Sequence, residues 1–162
     1  MNLQSSPQPS GRAQLECKWE RFTDIASELA VLSARQQAEI GEGYEPYNPD
    51  WNRYFAFERA GSCAVWAARS LSGTLVGYVI WLTVRGLHNV TTKFATADLI
   101  YLAPEWRGGL LGYKFLRSSI DAVKALEPDL VRVETNDLYA AGRVGILLKR
   151  LGFRRIGSVW QR

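Results

Sequence analysis

Between Tyr101 and Tyr113 the chain reads Tyr-Leu-Ala-Pro-Glu-Trp-Arg-Gly-Gly-Leu-Leu-Gly-Tyr, gathering one cation, Arg107, with three glycines, Gly108, Gly109 and Gly112. At the junction of a strand and a helix, such a run has a definite chemistry. The first turn of a helix exposes N–H groups that lack helical partners, together with the positive end of its dipole, and glycines let a bulky anion approach the backbone. The turn is therefore expected to bind an anion. Glu105, beside it, would repel that ligand and is expected to face solvent.

A second group that could do chemistry is Asp98, a carboxylate inside the otherwise apolar run from Phe94 to Leu102. A carboxylate in such a run needs a partner or a task. Two readings stand: a general base taking a proton from a nucleophile, or a group that hydrogen-bonds a loop or pairs with an arginine. His88, the single histidine, sits in the polar link before this run. It reads either as a surface or capping residue or as a substrate contact. Cys17 and Cys63 fall outside any CxxC or Cys/His ligand spacing, so both read as small buried hydrophobes and no metal is expected.

Three glycine-loop patterns compete for the turn. The phosphate-loop pattern GxxxxGK[ST] fails, because Lys114 follows Tyr113 and no Ser or Thr follows Lys114. The dinucleotide pattern GxGxxG fails on spacing. Gly109-Leu110-Leu111-Gly112 does match the GXXG of a KH RNA-binding loop, but that loop joins two helices, whereas a strand precedes this one. KH is kept as a minor alternative.

The elements that must position these groups follow from periodicity. Phe22, Ile25, Leu29 and Leu32 step by three, four and three along one face of a helix that begins near Glu20 and ends near Gly41. Gly41 to Asn48 reads as a loop, with Asn48 and Pro49 as cap and first position of a second helix whose apolar face is Trp51, Tyr54 and Phe55. Cys63 to Ala68 and Thr74 to Val84 read as a hairpin across Leu71-Ser72-Gly73, and Phe94 to Leu102 as a third strong strand ending at Pro104. The glycine turn then opens a helix from Gly112 to Leu126, with Leu116, Ile120, Val123 and Leu126 on one face and Pro128 beyond its end. Leu130 to Thr135 reads as a strand. A helix capped by Asn136 or Asp137 follows, with Val144, Leu147, Leu148 and Leu151 on one face, then a last strand from Phe153 to Gln161.

The expected order is β-α-α-β-β-β-α-β-α-β, an α/β (α+β) domain with a mixed sheet of about six strands flanked by about four helices. Met1 to Arg12, rich in Ser, Pro and Gln, is expected to be a disordered leader, leaving one domain over residues 13–162. At 162 residues the chain suffices for a single core, and 47% hydrophobic with 22% charged residues matches an ordinary globular domain. No segment approaches the ~20 apolar residues of a spanning helix, and the N-terminus lacks a signal-peptide build, so a cytoplasmic protein without a membrane partner is expected. The net charge of +4 permits a phosphorylated cofactor or nucleic acid without singling out the latter.

With those residues in view, the chain resembles the GNAT superfamily of N-acetyltransferases, and the resemblance covers most of its length. The turn is similar to the family motif Arg/Gln-x-x-Gly-x-Gly/Ala: Arg107 matches the first position and Gly112 the last, while the middle glycine is Leu110 here. Leu148-Lys149-Arg150-Leu151-Gly152-Phe153 resembles the closing x-[EK]-[KR]-[LM]-Gly-[FY]. Asn48-Pro49-Asp50-Trp51 and Ala97 to Leu102 resemble a branch found in bacteriophage and prophage genomes.

The resemblance implies that acetyl-CoA is the co-substrate. Ile100, Tyr101 and Leu102 would pair with its pantetheine arm, the turn from Arg107 through Gly108, Gly109, Leu110, Leu111 and Gly112 to Tyr113 would hold its pyrophosphate, and Asn136 would line the opposite wall. An acceptor amine would attack the thioester directly, with Asp98 as the implied base. The family's usual acid position is Leu148 here, and Tyr139 is the substitute candidate. His88, Tyr47 and Trp51, with Tyr44 and Tyr54 nearby, would border the acceptor. Homodimers are common in the family, and the late aromatic Trp160 reads either as such a contact or as part of the core. The rival reading is a non-catalytic module that keeps the fold and binds CoA, a protein or nucleic acid.

Overall fold

The computed structural model describes residues 14–40, 47–135 and 143–157. The expected leader, Tyr44, Asn136, Asp137, Tyr139 and Trp160 lie outside them.

Among the described residues five strands form one sheet in sequence order: β1 (Leu15–Glu20), β2 (Cys63–Ser70), β3 (Leu75–Arg85), β4 (Lys93–Leu102) and β5 (Leu130–Val133). The first three pairings are antiparallel and β4 to β5 is parallel, giving the mixed sheet expected. β1 was the strand least marked in the sequence. Of the last expected strand, Phe153 to Gln161, residues 153–157 carry no strand pairing and the rest are outside the described residues.

The helices divide between the two faces. α1 (Phe22–Ile40) and α2 (Trp51–Arg59) cover one face, where Phe22, Ile25 and Leu29 pack with Val65, Tyr78, Ile80 and Tyr101. α3 (Leu111–Lys124) and α4 (Arg143–Arg150) cover the other, where Phe115, Leu116, Ile120, Val123 and Leu148 pack with Val79, Trp81 and Ala97. A strand that is apolar on both faces belongs between two such layers, and β3 is buried from Leu75 to Trp81. On the α3 side, two sheet indoles find partners on one helix turn: Trp66 Nε1 donates to Ser118 Oγ at 3.2 Å and Trp81 Nε1 to Ser119 Oγ at 2.8 Å.

Helix starts differ in how their amides are satisfied. The cap of α2 is Asp50, two residues past the expected Asn48, and its carboxylate accepts from the Arg53 N–H at 3.1 Å. At α1 the carboxylate comes from another helix: Glu58 of α2 accepts from the N–H groups of Phe22 and Thr23. That bond ties the two helices into one lid over the sheet. Leu110 precedes α3 with no side-chain cap at all.

A second polar clamp holds β1, β2 and α1 together. Arg69 donates to Glu20 through Nε and Nη2 at 2.8 Å each, and to Glu28 through Nη1 and Nη2 at 2.9 and 2.8 Å. Hydrogen bonds from Arg69 hold both carboxyls below the usual carboxylate range.

Candidate functional site

The parallel pairing of β4 with β5 runs from Phe94↔Leu130 to Ala97↔Val133 and stops, while β4 continues to Leu102. Among the described residues, β4 over that last stretch has a strand neighbour on the β3 side only. On the β3 side the pairs are Leu99 with Ile80, Ile100 with Val79 and Tyr101 with Tyr78. The Ala103 N–H donates to Val76 O at 2.8 Å, so odd-numbered residues turn their backbone groups toward β3. Ile100 and Leu102 therefore turn theirs toward the open edge.

Asp98 owes its position to an irregularity in the same strand. Trp81 pairs with Ala97 and Ile80 with Leu99, which leaves Asp98 as the extra residue of a β-bulge. Before the bulge, Ala95 and Ala97 face the α3 side; after it, Ile100 and Leu102 do, and Leu99 and Tyr101 face α1 and α2. The extra residue thus resets the alternation and presents Asp98 on the α1/α2 side. There it is exposed, and Tyr54 of α2 donates its phenol O–H to Asp98 Oδ2 at 2.5 Å. The Tyr54 ring stacks on Phe22 at 5.0 Å and 15°, and Trp51 leans on both. Burial, then the Asp98 hydrogen bond, pushes the Tyr54 phenol well above its ordinary range, so it stays a donor.

β4 leads directly into the glycine turn. A 3₁₀ turn at Pro104–Trp106 follows, then Arg107, Gly108 and Gly109, and α3 opens at Leu111. Gly109 has φ +59, the left-handed region that a side chain makes costly. The helical ladder begins with the Lys114 N–H donating to Leu110 O at 2.9 Å, so the amides of Gly112 and Tyr113 precede it, as an anion site requires. Beyond the adjoining residues and the helix's own backbone, no atom of the described residues lies within 4 Å of a Cβ built on Gly108, Gly109 or Gly112, so the backbone here is open to approach. Leu110, in the place of the family glycine, is 65% exposed.

The Arg107 side chain takes another direction. Nε donates to Leu102 O at 2.5 Å, Nη2 pairs with Glu39 Oε2 at 2.8 Å, and the guanidinium lies over the Tyr101 ring at 5.3 Å. The Tyr101 O–H donates to the other Glu39 oxygen, and burial and that bond raise its pKa. Glu105 faces outward and is held by Arg35 through bonds of 3.0 and 2.7 Å. Arg35, Gln36 and Glu39 thus make the second half of α1 a brace for the end of β4. A polar continuation of an apolar stripe was the available signal: buried Ser33 and Gln36 extend the face begun by Phe22, Ile25 and Leu29.

The other candidates are spread out. Trp51 packs in the α1/α2 cluster near Asp98, whereas the Tyr47 O–H bonds Ser33 Oγ at 2.6 Å and Ala30 O at 3.2 Å on α1. His88 is exposed in the β3–β4 loop, beyond the Lys93 end of β4, roughly 16 Å of strand from Asp98. Asn136 and Tyr139 lie outside the described residues. Leu148 is buried in the core at 7% exposure. Burial raises the Cys63 thiol to about 12, consistent with an inert packing residue. Among the described residues no group of His, Cys, Asp and Glu could hold a metal, and no helix is long and apolar enough to cross a membrane.

No protein-family signature and no curated protein matches the sequence. Solved structures do match the fold. A predicted acetyltransferase from Clostridium acetobutylicum, solved with acetyl-CoA, has a TM-score of 0.67 at 15% identity, over 92% of this chain and 96% of that one. A ribosomal-protein-alanine N-acetyltransferase from Brucella melitensis biovar Abortus 2308 gives 0.67 at 16% identity, over 92% and 99%. An aminoglycoside acetyltransferase from an uncultured soil metagenomic sample, solved with sisomicin, gives 0.65 at 12% identity, over 91% and 95%. These relatives lend no support to a bacteriophage branch. Their likeness at such identities is one of architecture: in its mixed sheet with one parallel pair and helices on both faces, this chain has the fold of the GNAT acetyltransferases.

Proposed function

We propose that the protein is an acetyl-CoA-dependent N-acetyltransferase acting on a primary amine. The observation that carries this reading is the continuity of the open β4 edge with the uncapped start of α3. One surface then offers amides to an extended arm at Ile100 and Leu102 and amides to a phosphate at Gly112 and Tyr113. Few ligands combine those two parts, and acetyl-CoA does.

The acceptor amine must be neutral to attack, and a lysine-like amine with a pKa of about 10.4 must first give up a proton. Asp98, two residues before Ile100 and exposed on the α1/α2 side, takes that proton directly or through water. The amine nitrogen then bonds to the thioester carbon, the C–S bond breaks, CoA leaves as its thiolate, and the surplus proton on the new amide nitrogen passes to that thiolate or to water. A thiolate is a competent leaving group, so the buried Leu148 in the acid position does not block the reaction. The acetyl acceptors named for the structural relatives include an aminoglycoside and a ribosomal-protein alanine, so the fold alone leaves the acceptor open.

Thermal shift with acetyl-CoA tests the reading. At 100 times its dissociation constant, a ligand that binds only the folded chain stabilises it by about 2.7 kcal/mol. No shift with acetyl-CoA or CoA at millimolar concentration would rule the proposal out. Leu148 also suits a non-catalytic CoA-binding module; that reading predicts the shift without thiol release against any amine.

A further inference from the structure

The open edge of β4 carries two carbonyls as well as two amides, and both carbonyls already have donors from outside the strand. Gln36 Nε2 of α1 donates to Ile100 O at 3.2 Å, and Arg107 Nε donates to Leu102 O at 2.5 Å. Gln36 is 8% exposed, and its amide oxygen is fixed by the O–H of the fully buried Tyr78 at 2.6 Å. That bond sets which end of the Gln36 amide meets the strand, because a phenol donor needs the oxygen. Arg107 is fixed from its other side by Glu39.

We propose that Gln36 and Arg107 make the open edge of β4 a donor-only rail, with Gln36 as its positioning residue, so that the edge accepts an arm bearing carbonyl acceptors and refuses a polypeptide strand. A strand adding to this edge would have to offer N–H groups to Ile100 O and Leu102 O, where the Gln36 and Arg107 N–H groups already sit. An amide- and thioester-bearing arm can give its carbonyl oxygens to the Ile100 and Leu102 N–H groups and, being a short flexible chain with no ladder to keep, turn its few amide N–H groups to water. A strand edge whose outward backbone groups would otherwise invite pairing with another strand is thereby reserved for a small ligand. Gln36 also holds the Ile100 peptide plane, so that its N–H stays aimed at the arm. The inference rests on the cofactor reading above and adds what selects the arm.

The test compares two ligands on two proteins by calorimetry. Gln36→Met combined with Tyr78→Phe removes the donor to Ile100 O without leaving the Tyr78 hydroxyl buried and unpaired. CoA carries the arm; 3′-phospho-ADP carries only the nucleotide and phosphates that the α3 turn would hold. The double variant is expected to bind CoA about tenfold more weakly, a loss of about 1.4 kcal/mol, and to bind 3′-phospho-ADP as the wild type does. Equal CoA affinity in the two proteins would overturn the proposal, and so would a parallel loss for both ligands, which marks general damage. Wild-type protein that binds neither ligand would instead overturn the cofactor reading itself. Should the double variant fail to fold, Gln36→Glu keeps an oxygen for Tyr78 and removes the donor. The same arm-specific loss is expected of it, and its absence overturns the proposal.

Discussion

Tyr54 on α2 and Asp98 on β4 meet through a 2.5 Å hydrogen bond because a bulge turns Asp98 out of the sheet's alternation and toward the helix. The bond separates two roles for Asp98. In Asp98→Asn, the amide oxygen can still accept from Tyr54, so stability should stay within about 0.5 kcal/mol of wild type. Activity should fall by about 10²–10⁴-fold, since an amide takes no proton. Thiol release from acetyl-CoA against an amine panel, with CoA affinity measured alongside, reads both. A variant as active as wild type removes Asp98 from the chemistry. Tyr54→Phe keeps the stack on Phe22 and should cost about 1 kcal/mol.

Gly109 and Gly112 should respond oppositely to alanine in the free protein. Gly109 sits at φ +59, so Gly109→Ala is expected to destabilise by about 1 kcal/mol although nothing crowds its Cβ. Gly112 lies inside α3 with open space around it, so Gly112→Ala should stabilise by about 0.5–1 kcal/mol. Both should bind CoA more weakly, because each methyl group intrudes on the anion's approach. Urea titration gives the first quantity and calorimetry the second. A stabilised Gly112→Ala protein with undiminished CoA affinity would place the phosphates elsewhere.

Acid should unlock the clamp around Arg69. Glu20 and Glu28 have folded pKa values below the ordinary carboxylate value, so their contribution is complete above about pH 4.3 and disappears as pH falls through the folded values. Urea midpoints of the wild type should therefore drop on going from pH 5 to pH 3. Arg69→Met leaves Glu20, whose side chain is 11% exposed, with the longer Lys18 pair at 3.7 Å in place of the Arg69 fork, and should cost on the order of 1–3 kcal/mol at pH 7. Its stability should also change less between pH 5 and pH 3 than that of the wild type. Parallel pH curves for the two proteins would show that the clamp does not set the acid response.

Ser119→Ala should be costly for so small a change. Ser119 is fully buried on α3 and takes the Trp81 indole N–H at 2.8 Å, so alanine leaves that donor without an acceptor. A loss of about 1–3 kcal/mol is expected by chemical denaturation. Ser118→Ala, beside the half-buried Trp66, should lose less, and equal losses would contradict the burial argument.

Local chemistry made much of this protein legible from its sequence. The apolar steps of Phe22, Ile25 and Leu29, the hairpin across Leu71-Ser72-Gly73 and the strand from Phe94 to Leu102 are short-range patterns, each recorded in neighbouring residues. The glycine turn was readable for the same reason, since φ, hydrogen-bonding capacity and helix polarity are properties of a few consecutive residues. Tertiary structure decided what depends on partners distant in sequence. Asp98 finds Tyr54 across 44 positions, Gln36 reaches Ile100 across 64, and Arg107 turns to Glu39 across 68. A bulge is invisible in β4 alone, because it is a mismatch of register with β3. Sequence thus determined a glycine turn that opens a helix and a carboxylate in the strand before it. Packing of α1 and α2 against the sheet decided which way that carboxylate faces and which backbone groups of β4 remain open, since both are set by contacts that form only when the layers close.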